Sequence, residues 1–539
     1  MKKCFLLVLA CAFSFNLTLQ AQKSIDVGSG LEVLHFHAPW DGLDNNNRFG
    51  CHRIGGNFHF WFEVADSTLT LTEPFATEAD VEPEDRVEIF FSPKRNMREY
   101  YCAEIDPKGR VLDYKANYYR QFDYSWNFKT LVVHAQITPW GYRIKGSITC
   151  SELERALGCD LKNGFWMGIF QDDFKKDESV HWYSFIRTSD KEPDFHKPVV
   201  LFRCTMNERP EYRGVVVYPN DITSVGLKEW KKRIRQSKIN LIGLHAATSN
   251  DPLDTLEAFV RSRTGKKFLR LCRRNGVKVE YELHALQHLL PRELFATHPE
   301  YFRMDSNGQR IADYNFCFSN AEAVEAMRPQ LEAMLRWMKP TTHRYFFWPD
   351  DKQGKFCHCE KCRQYSPSEQ SLMYEKRLLA MLREYDRKAT LAHLAYHQTQ
   401  PAPVKVQATE GIFLEFAPIL RDYAYPLDST STRHLQENLL AFPPYSQHIL
   451  EYWLDESMYA RWKRHALVPL PFNPDQCRRD ILNYRNNGAA SITCFATWLN
   501  GDYIRQYGST EKIFTKYGNC HAKWMNIAIC SRTSIYYRR

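Results

Sequence analysis

The chain has 539 residues, 44% of them hydrophobic, and a formal net charge of +9. That size and apolar content exclude a disordered chain and allow two or three domains with sizeable cores. The basic residues are dispersed. Their loosest clusters, Lys228–Arg235 and Arg261–Arg274, fall in segments of helical periodicity, so they read as solvated helix faces and no nucleic-acid partner is expected.

Residues 1–22 have the layout of an export signal. Lys2 and Lys3 precede an apolar run from Phe5 to Phe15, and small Ala21 precedes the expected cut. Val8-Leu9-Ala10-Cys11 offers a second reading, lipid attachment at Cys11. No later run is long enough to span a bilayer, so a periplasmic or extracellular protein is expected, soluble or lipid-tethered, and not an integral membrane protein. Of 16 cysteines, only Cys4 and Cys11 lie in this segment. The rest are scattered over a long chain, which is not the pattern of a small disulfide scaffold.

From 24 to 205 short alternating runs recur: Phe58–Val64, Arg86–Phe91, Tyr100–Ile105 and Gly141–Ile148. Turn chemistry such as Asp106-Pro107-Lys108-Gly109 separates them. Period-two alternation between turns predicts a β-sandwich. The stretch Asp85-Arg86-Val87-Glu88-Ile89-Phe90-Phe91-Ser92-Pro93, followed by Tyr100-Tyr101 and Glu104–Gly109, resembles the family-nine type of carbohydrate-binding module. The resemblance implies a sandwich that binds sugar or serves as a docking domain. Trp126, Tyr118, Tyr119 and Trp61 are the candidate stacking platforms, with core packing as the alternative for each.

From 214 to 520 strands and helices alternate. Eight strand candidates are Val215–Tyr218, Ile239–Leu244, Val277–Leu283, Tyr345–Trp348, Leu391–Tyr396, Ile412–Phe416, His448–Trp453 and Ile492–Ala496. Expected helices include Leu253–Asn275, Ala321–Met338, Ser371–Arg387, Gln476–Asn487 and a closing Tyr503–Tyr517. Eight such units predict a (β/α)8 barrel, the TIM-barrel fold. A doubly wound sheet is the runner-up, but no Gly-rich phosphate loop follows the first strand. Residues 521–539 read as a tail.

In such a barrel, chemistry is built at the strand C-terminal tips. Arg344–Trp348 stops at Pro349 and two acids, Asp350 and Asp351. His284 ends the third strand and Tyr396-His397 the fifth. Glu415 lies on the sixth, with Arg421 beyond it. Glu451, Trp453 and Asp455 follow on the seventh, and Trp498 and Asn500 on the eighth. Acids for proton transfer, His and Asn for hydroxyls and aromatics for ring faces suit a sugar. The expectation is an exported glycosidase acting on a polysaccharide or oligosaccharide. Asp351, Glu451, Asp350 and Glu415 are its candidate catalytic carboxylates; the others are candidate substrate contacts. Alternation also allows Glu451 to point outward into a structural ion pair. Two further readings are a substrate-assisted N-acetylhexosaminidase using Asp350-Asp351 and a glycan binder with a degenerate barrel.

His298–Arg310, Phe316–Asn320, Asp351 and Cys357-His358-Cys359-Glu360-Lys361-Cys362 together resemble a bacterial barrel family of unknown function grouped with glycoside hydrolases near the α-glucuronidases. That resemblance implies fold and reaction class, not substrate. It also implies that Cys317 and the Cys-x-Cys-x-x-Cys run pin two loops together. Cys357, Cys359 and Cys362, with Cys317 or His358 as a fourth ligand, could hold a structural zinc; a disulfide plus a free thiol, or unlinked thiols, fit the spacing equally. No cofactor is expected for catalysis.

Overall fold

The computed structural model describes residues 24–26, 34–37, 44–175, 179–186, 193–207, 211–246, 253–442 and 447–521. The expected export signal, Cys11 and the end of the tail lie outside these residues.

The N-terminal region is a 13-stranded antiparallel-rich sheet folded over on itself. One half carries strands Arg86–Ser92, Tyr100–Ile105, Val111–Asn117 and Phe165–Phe174; the other carries Asp44–Ile54, Asn57–Ala65, Val132–Thr138 and Gly141–Thr149. Period two sets the core. Phe58, Phe60 and Phe62 pack from one half and Val87, Ile89 and Phe91 from the other, all within 1% of full burial. The predicted turn is present: Gly109 takes φ 81°, and Asp106 Oδ1 accepts from the Lys108 and Arg110 amides at 2.8 and 2.9 Å.

Eight parallel strands then close into a barrel. They are β1 (Tyr212–Val217), β2 (Leu241–His245), β3 (Lys278–His284), β4 (Arg344–Trp348), β5 (Thr390–Ala395), β6 (Ile412–Phe416), β7 (His448–Glu451) and β8 (Ser491–Phe495). Closure is made by β1 pairing β8, with Gly214 opposite Thr493. Every predicted strand overlaps an observed one. Three helices are broken where a single one is expected, each for a local reason. Ser262 caps a new helix through the Gly265 amide, splitting Leu253–Asn275. Pro329 opens Arg328–Trp337 and so separates it from Ala321–Glu325. Gly508, at φ 86°, parts Gly501–Tyr507 from Glu511–Cys520.

Alternation along the barrel strands decides which side chains face in. Arg344, Phe346 and Trp348 of β4 point inward; Tyr345 reaches Asp386, outside the barrel. On β7 the inward residues are His448 and Leu450. The sandwich lies against the barrel's side, where Lys145 Nζ donates to Leu439 O at 2.6 Å. Trp61 is buried at that seam.

Candidate active site

A cavity of about 230 Å³ opens at the C-terminal mouth of the barrel. Its walls are Tyr218 after β1, His245 of β2, His284 of β3, Trp348 of β4, Tyr396 and His397 after β5, Tyr452, Asp455 and Trp462 after β7, and Phe495 of β8. Asp351, beyond β4, is the second acid lining it. Two carboxylates from different strands therefore face one aromatic-walled hollow.

Their surroundings differ. Asp351 is exposed, with Tyr396 beside it in the cavity wall. Asp455 is 5% exposed, and its Oδ1 accepts from the Ser457 amide at 3.0 Å, the Ser457 hydroxyl at 2.5 Å and the Thr497 hydroxyl. Burial raises its pKa despite those donors. Burial, with His284 adding to it, pushes His245 down to about 3, and burial lowers His397. His245 Nδ1 and His284 Nδ1 lie 2.6 Å from the carbonyls of Glu282 and Pro349, the geometry of N–H donation to a backbone acceptor. That fixes both rings at the mouth. His397 and Trp462 hold left-handed φ values of 48° and 55°, unfavourable for non-glycine residues by about 1–2 kcal/mol each. Strain of this kind, on two wall residues, marks a rim whose shape the surrounding fold dictates.

The other expected residues fall elsewhere. Glu451 corrects the expected pairing with Asp351, because its parity on β7 is opposite to that of Leu450. It points into the helix layer, fully buried, where Arg421 Nη1 donates to Oε1 at 2.9 Å and the Tyr484 hydroxyl at 2.5 Å. Arg421 also binds Asp480 at 2.7 Å, and Trp453 Nε1 donates to the same Asp480 oxygen at 3.2 Å. Arg421 and Trp453 are thus part of the barrel's outer packing and not substrate contacts. Glu415 faces inward but lies beneath the floor, its Oε2 accepting from Trp348 Nε1 at 2.6 Å, with Glu282 beside it. Burial raises both carboxyls well above the usual range, with repulsion from Glu280 adding to it at Glu282 and from Glu282 at Glu415.

Asp350 is 7% exposed and lines a smaller cleft that shares Asp351, His284, Tyr396 and His397. Burial pushes it up to about 6, against the pull of nearby Arg292. Its backbone amide is tied to Asn315 Oδ1 at 2.8 Å. Trp498 is not in the cavity wall: its amide donates to Asp221 Oδ1 at 2.9 Å. Asn500 is a helix cap, accepting from the Asp502 and Tyr503 amides at 2.9 and 3.2 Å. In the sandwich, Trp126 packs on Phe128 and Tyr101 with ring centroids 4.7 and 4.8 Å away. Tyr118 and Tyr119 stand out of the surface, 49% and 47% exposed.

Tyr218, His245, Tyr452, Trp462 and Phe495 were not among the expected site residues. Inward parity places four of them: His245 lies two residues beyond inward Gly243, Tyr218 two beyond Val216, Tyr452 two beyond Leu450 and Phe495 two beyond Thr493. Trp462 sits on the loop after β7, where no sequence period reaches.

Fold and site together define a β-sandwich followed by a (β/α)8 barrel with a carboxylate-lined, aromatic mouth. Residues 83–493 match the family described as a domain of unknown function, DUF4838, and the chain belongs to that family. No curated protein matches it. Among solved structures, it is similar to a putative carbohydrate-binding protein from Bacteroides uniformis at 15% identity, over 35% of this chain and 100% of that one, with a TM-score of 0.29. A carbohydrate-binding module of family 9 from Caldicellulosiruptor kristjanssonii, in complex with glucose, matches at 16% identity over 35% of this chain and 97% of that one, TM-score 0.25. Tandem GH20 catalytic modules of a pneumococcal exo-β-D-N-acetylglucosaminidase match at 11% identity over 58% and 83%, TM-score 0.33. Among the described residues no helix is long and apolar enough to cross a membrane.

Proposed function

We propose that the protein is an exported glycoside hydrolase whose catalytic carboxylates are Asp351 and Asp455. The observation that carries this reading is their joint lining of one aromatic-walled cavity at the barrel mouth. Hydrolysis of a glycosidic bond needs one carboxylic acid to protonate the leaving oxygen and one carboxylate to attack the anomeric carbon or activate water. Asp455, buried with its pKa raised, suits the acid; exposed Asp351 suits the nucleophile or base. Trp348, Tyr452 and Phe495 offer apolar faces to a sugar ring, and His284, His397 and Tyr396 offer polar atoms to its hydroxyls. The charged start and apolar run of residues 1–22 support export.

Substrate-assisted chemistry by Asp350-Asp351 is the weaker hydrolytic reading, since buried Asp350 is absent from the wall of the larger cavity. Glycan binding without turnover has one observation in its favour, the exposed Tyr118–Tyr119 pair, whose ring centroids are 5.5 Å apart. The test is a polysaccharide and oligosaccharide digest of the full chain beside Asp351→Asn and Asp455→Asn. Product release by the native protein should fall by at least about 100-fold in each variant, the scale of a lost acid or base, with melting temperatures kept. A native protein that retains glycans but releases no product from any of them would overturn the hydrolase reading in favour of the binder.

A further inference from the structure

We propose that Cys317, Cys357, Cys359 and Cys362 bind one structural zinc ion as a tetrathiolate. The four Sγ atoms are buried and all lie within 4.8 Å of one another. The Cys317–Cys359 and Cys317–Cys362 separations are 3.7 and 4.0 Å. Zinc–sulfur bonds of about 2.3 Å in a tetrahedron put neighbouring sulfurs about 3.8 Å apart, close to these two edges. A disulfide requires sulfurs at about 2.05 Å, and all four cysteines are free thiols. His358, the other fourth-ligand candidate, is exposed and outside the cluster.

The surroundings are built for thiolates. The Met304 amide donates to Cys357 Sγ at 3.3 Å, and Arg310 Nη1 approaches the same sulfur at 3.9 Å. The Ser319 hydroxyl lies 3.4 Å from Cys317 Sγ and 3.2 Å from Cys362 Sγ. Four thiolates and Zn2+ carry a net charge of −2, and an N–H donor plus a guanidinium offset part of it. Soft sulfur ligands in a tetrahedron favour zinc over magnesium or calcium, and four protein ligands leave no open position for substrate or water. The role is therefore structural.

Its place in the fold gives the site a consequence. Cys317 belongs to the β3–β4 connection; the other three belong to the loop that follows β4 and Asp351. The same two loops meet through Asn315, whose Nδ2 donates to Lys355 O at 3.1 Å and whose Oδ1 accepts the Asp350 amide. One ion would lock together the segments on both sides of Asp351.

The test reads metal, not turnover. Full-length protein purified without chelator should contain one zinc per chain, and X-ray absorption at the zinc edge should show four sulfurs at about 2.3 Å. Cys359→Ser should lower the zinc content, whereas His358→Ala should keep one zinc. Should Cys359→Ser fail to fold, native protein stripped by a chelator under reducing conditions supplies the second measurement. Its melting temperature should fall and be restored by zinc but not by magnesium. A disulfide among the four mapped by mass spectrometry, loss of zinc from His358→Ala, or a reduced native protein that takes up no zinc would each overturn the proposal.

Discussion

Replacing Glu451 by Gln separates a packing carboxylate from a catalytic one. The change keeps shape and removes one charge. Glu451 is fully buried, with Arg421 at 2.9 Å and the Tyr484 hydroxyl at 2.5 Å on the same oxygen, Oε1. The Gln carbonyl can keep both donors. Its amide nitrogen would take the place of Oε2, which has no hydrogen-bond partner, and so buries unsatisfied N–H groups. Arg421 retains Asp480 at 2.7 Å, so the guanidinium is not stranded. Breaking a buried ion pair costs about 3–5 kcal/mol, and the surviving partner places this case near the lower end, about 3 kcal/mol. For a barrel spanning 214–520 that is a fall of about 5 °C in melting temperature. The assay is calorimetry beside turnover measured well below the transition, on whichever glycan the native protein cleaves. Lower stability with near-native turnover per folded molecule is expected. A melting temperature within about 1 °C of native, with turnover down 100-fold, would refute the parity argument and return Glu451 to the mouth.

Two further outcomes follow from the buried carboxyls. Glu415→Gln should cost little at pH 5, within about 1 kcal/mol, because burial already keeps that carboxyl protonated and an amide resembles it. Its raised folded-state pKa favours folding fully below the unfolded value and loses that advantage as pH rises toward the folded one. The variant lacks this loss, so relative to native protein it should gain up to about 1.4 kcal/mol per pH unit above pH 4.5; melts at pH 5 and pH 8 that stay parallel would contradict it. The pH–rate profile should fall on its alkaline side as Asp455 loses its proton above the ordinary aspartate range. An alkaline limb unchanged in Asp455→Asn, in whatever residual activity that variant has, would remove Asp455 from the acid role.

The strands were legible because barrel strands are apolar runs between breakers, and Tyr345-Phe346-Phe347-Trp348-Pro349 is an extreme case. The sandwich was legible from alternation: Phe58, Phe60 and Phe62 announce one buried face. Helix breaks were less so, since Ser262 caps a helix inside a continuous periodic stretch. Within the site, Asp351, His284, Tyr396, His397 and Asp455 were found by asking which polar residues end strands. That question cannot tell one face of a strand from the other. Glu451 and Leu450 are neighbours on opposite faces, and the deciding fact is Glu451's contact with Arg421, 30 residues earlier.

Parity also explains why the polar interior does not compete with the mouth. Glu280 and Arg344 form a buried ion pair at 2.6 Å in the barrel's lower layer, satisfying both charges there. Above them burial raises the carboxyls of Glu282 and Glu415 well above the usual range, and Glu415 Oε2 accepts a hydrogen bond from the Trp348 indole N–H. Trp348 therefore has two faces to its role. Its ring forms the cavity floor while its N–H is spent below, leaving an apolar surface toward the hollow. Among the described residues, the carboxylates in the wall of that hollow are Asp351 and Asp455. This layering, with an ion pair and raised carboxyls underneath and two acids kept at the rim, suits the glycosidase chemistry proposed above.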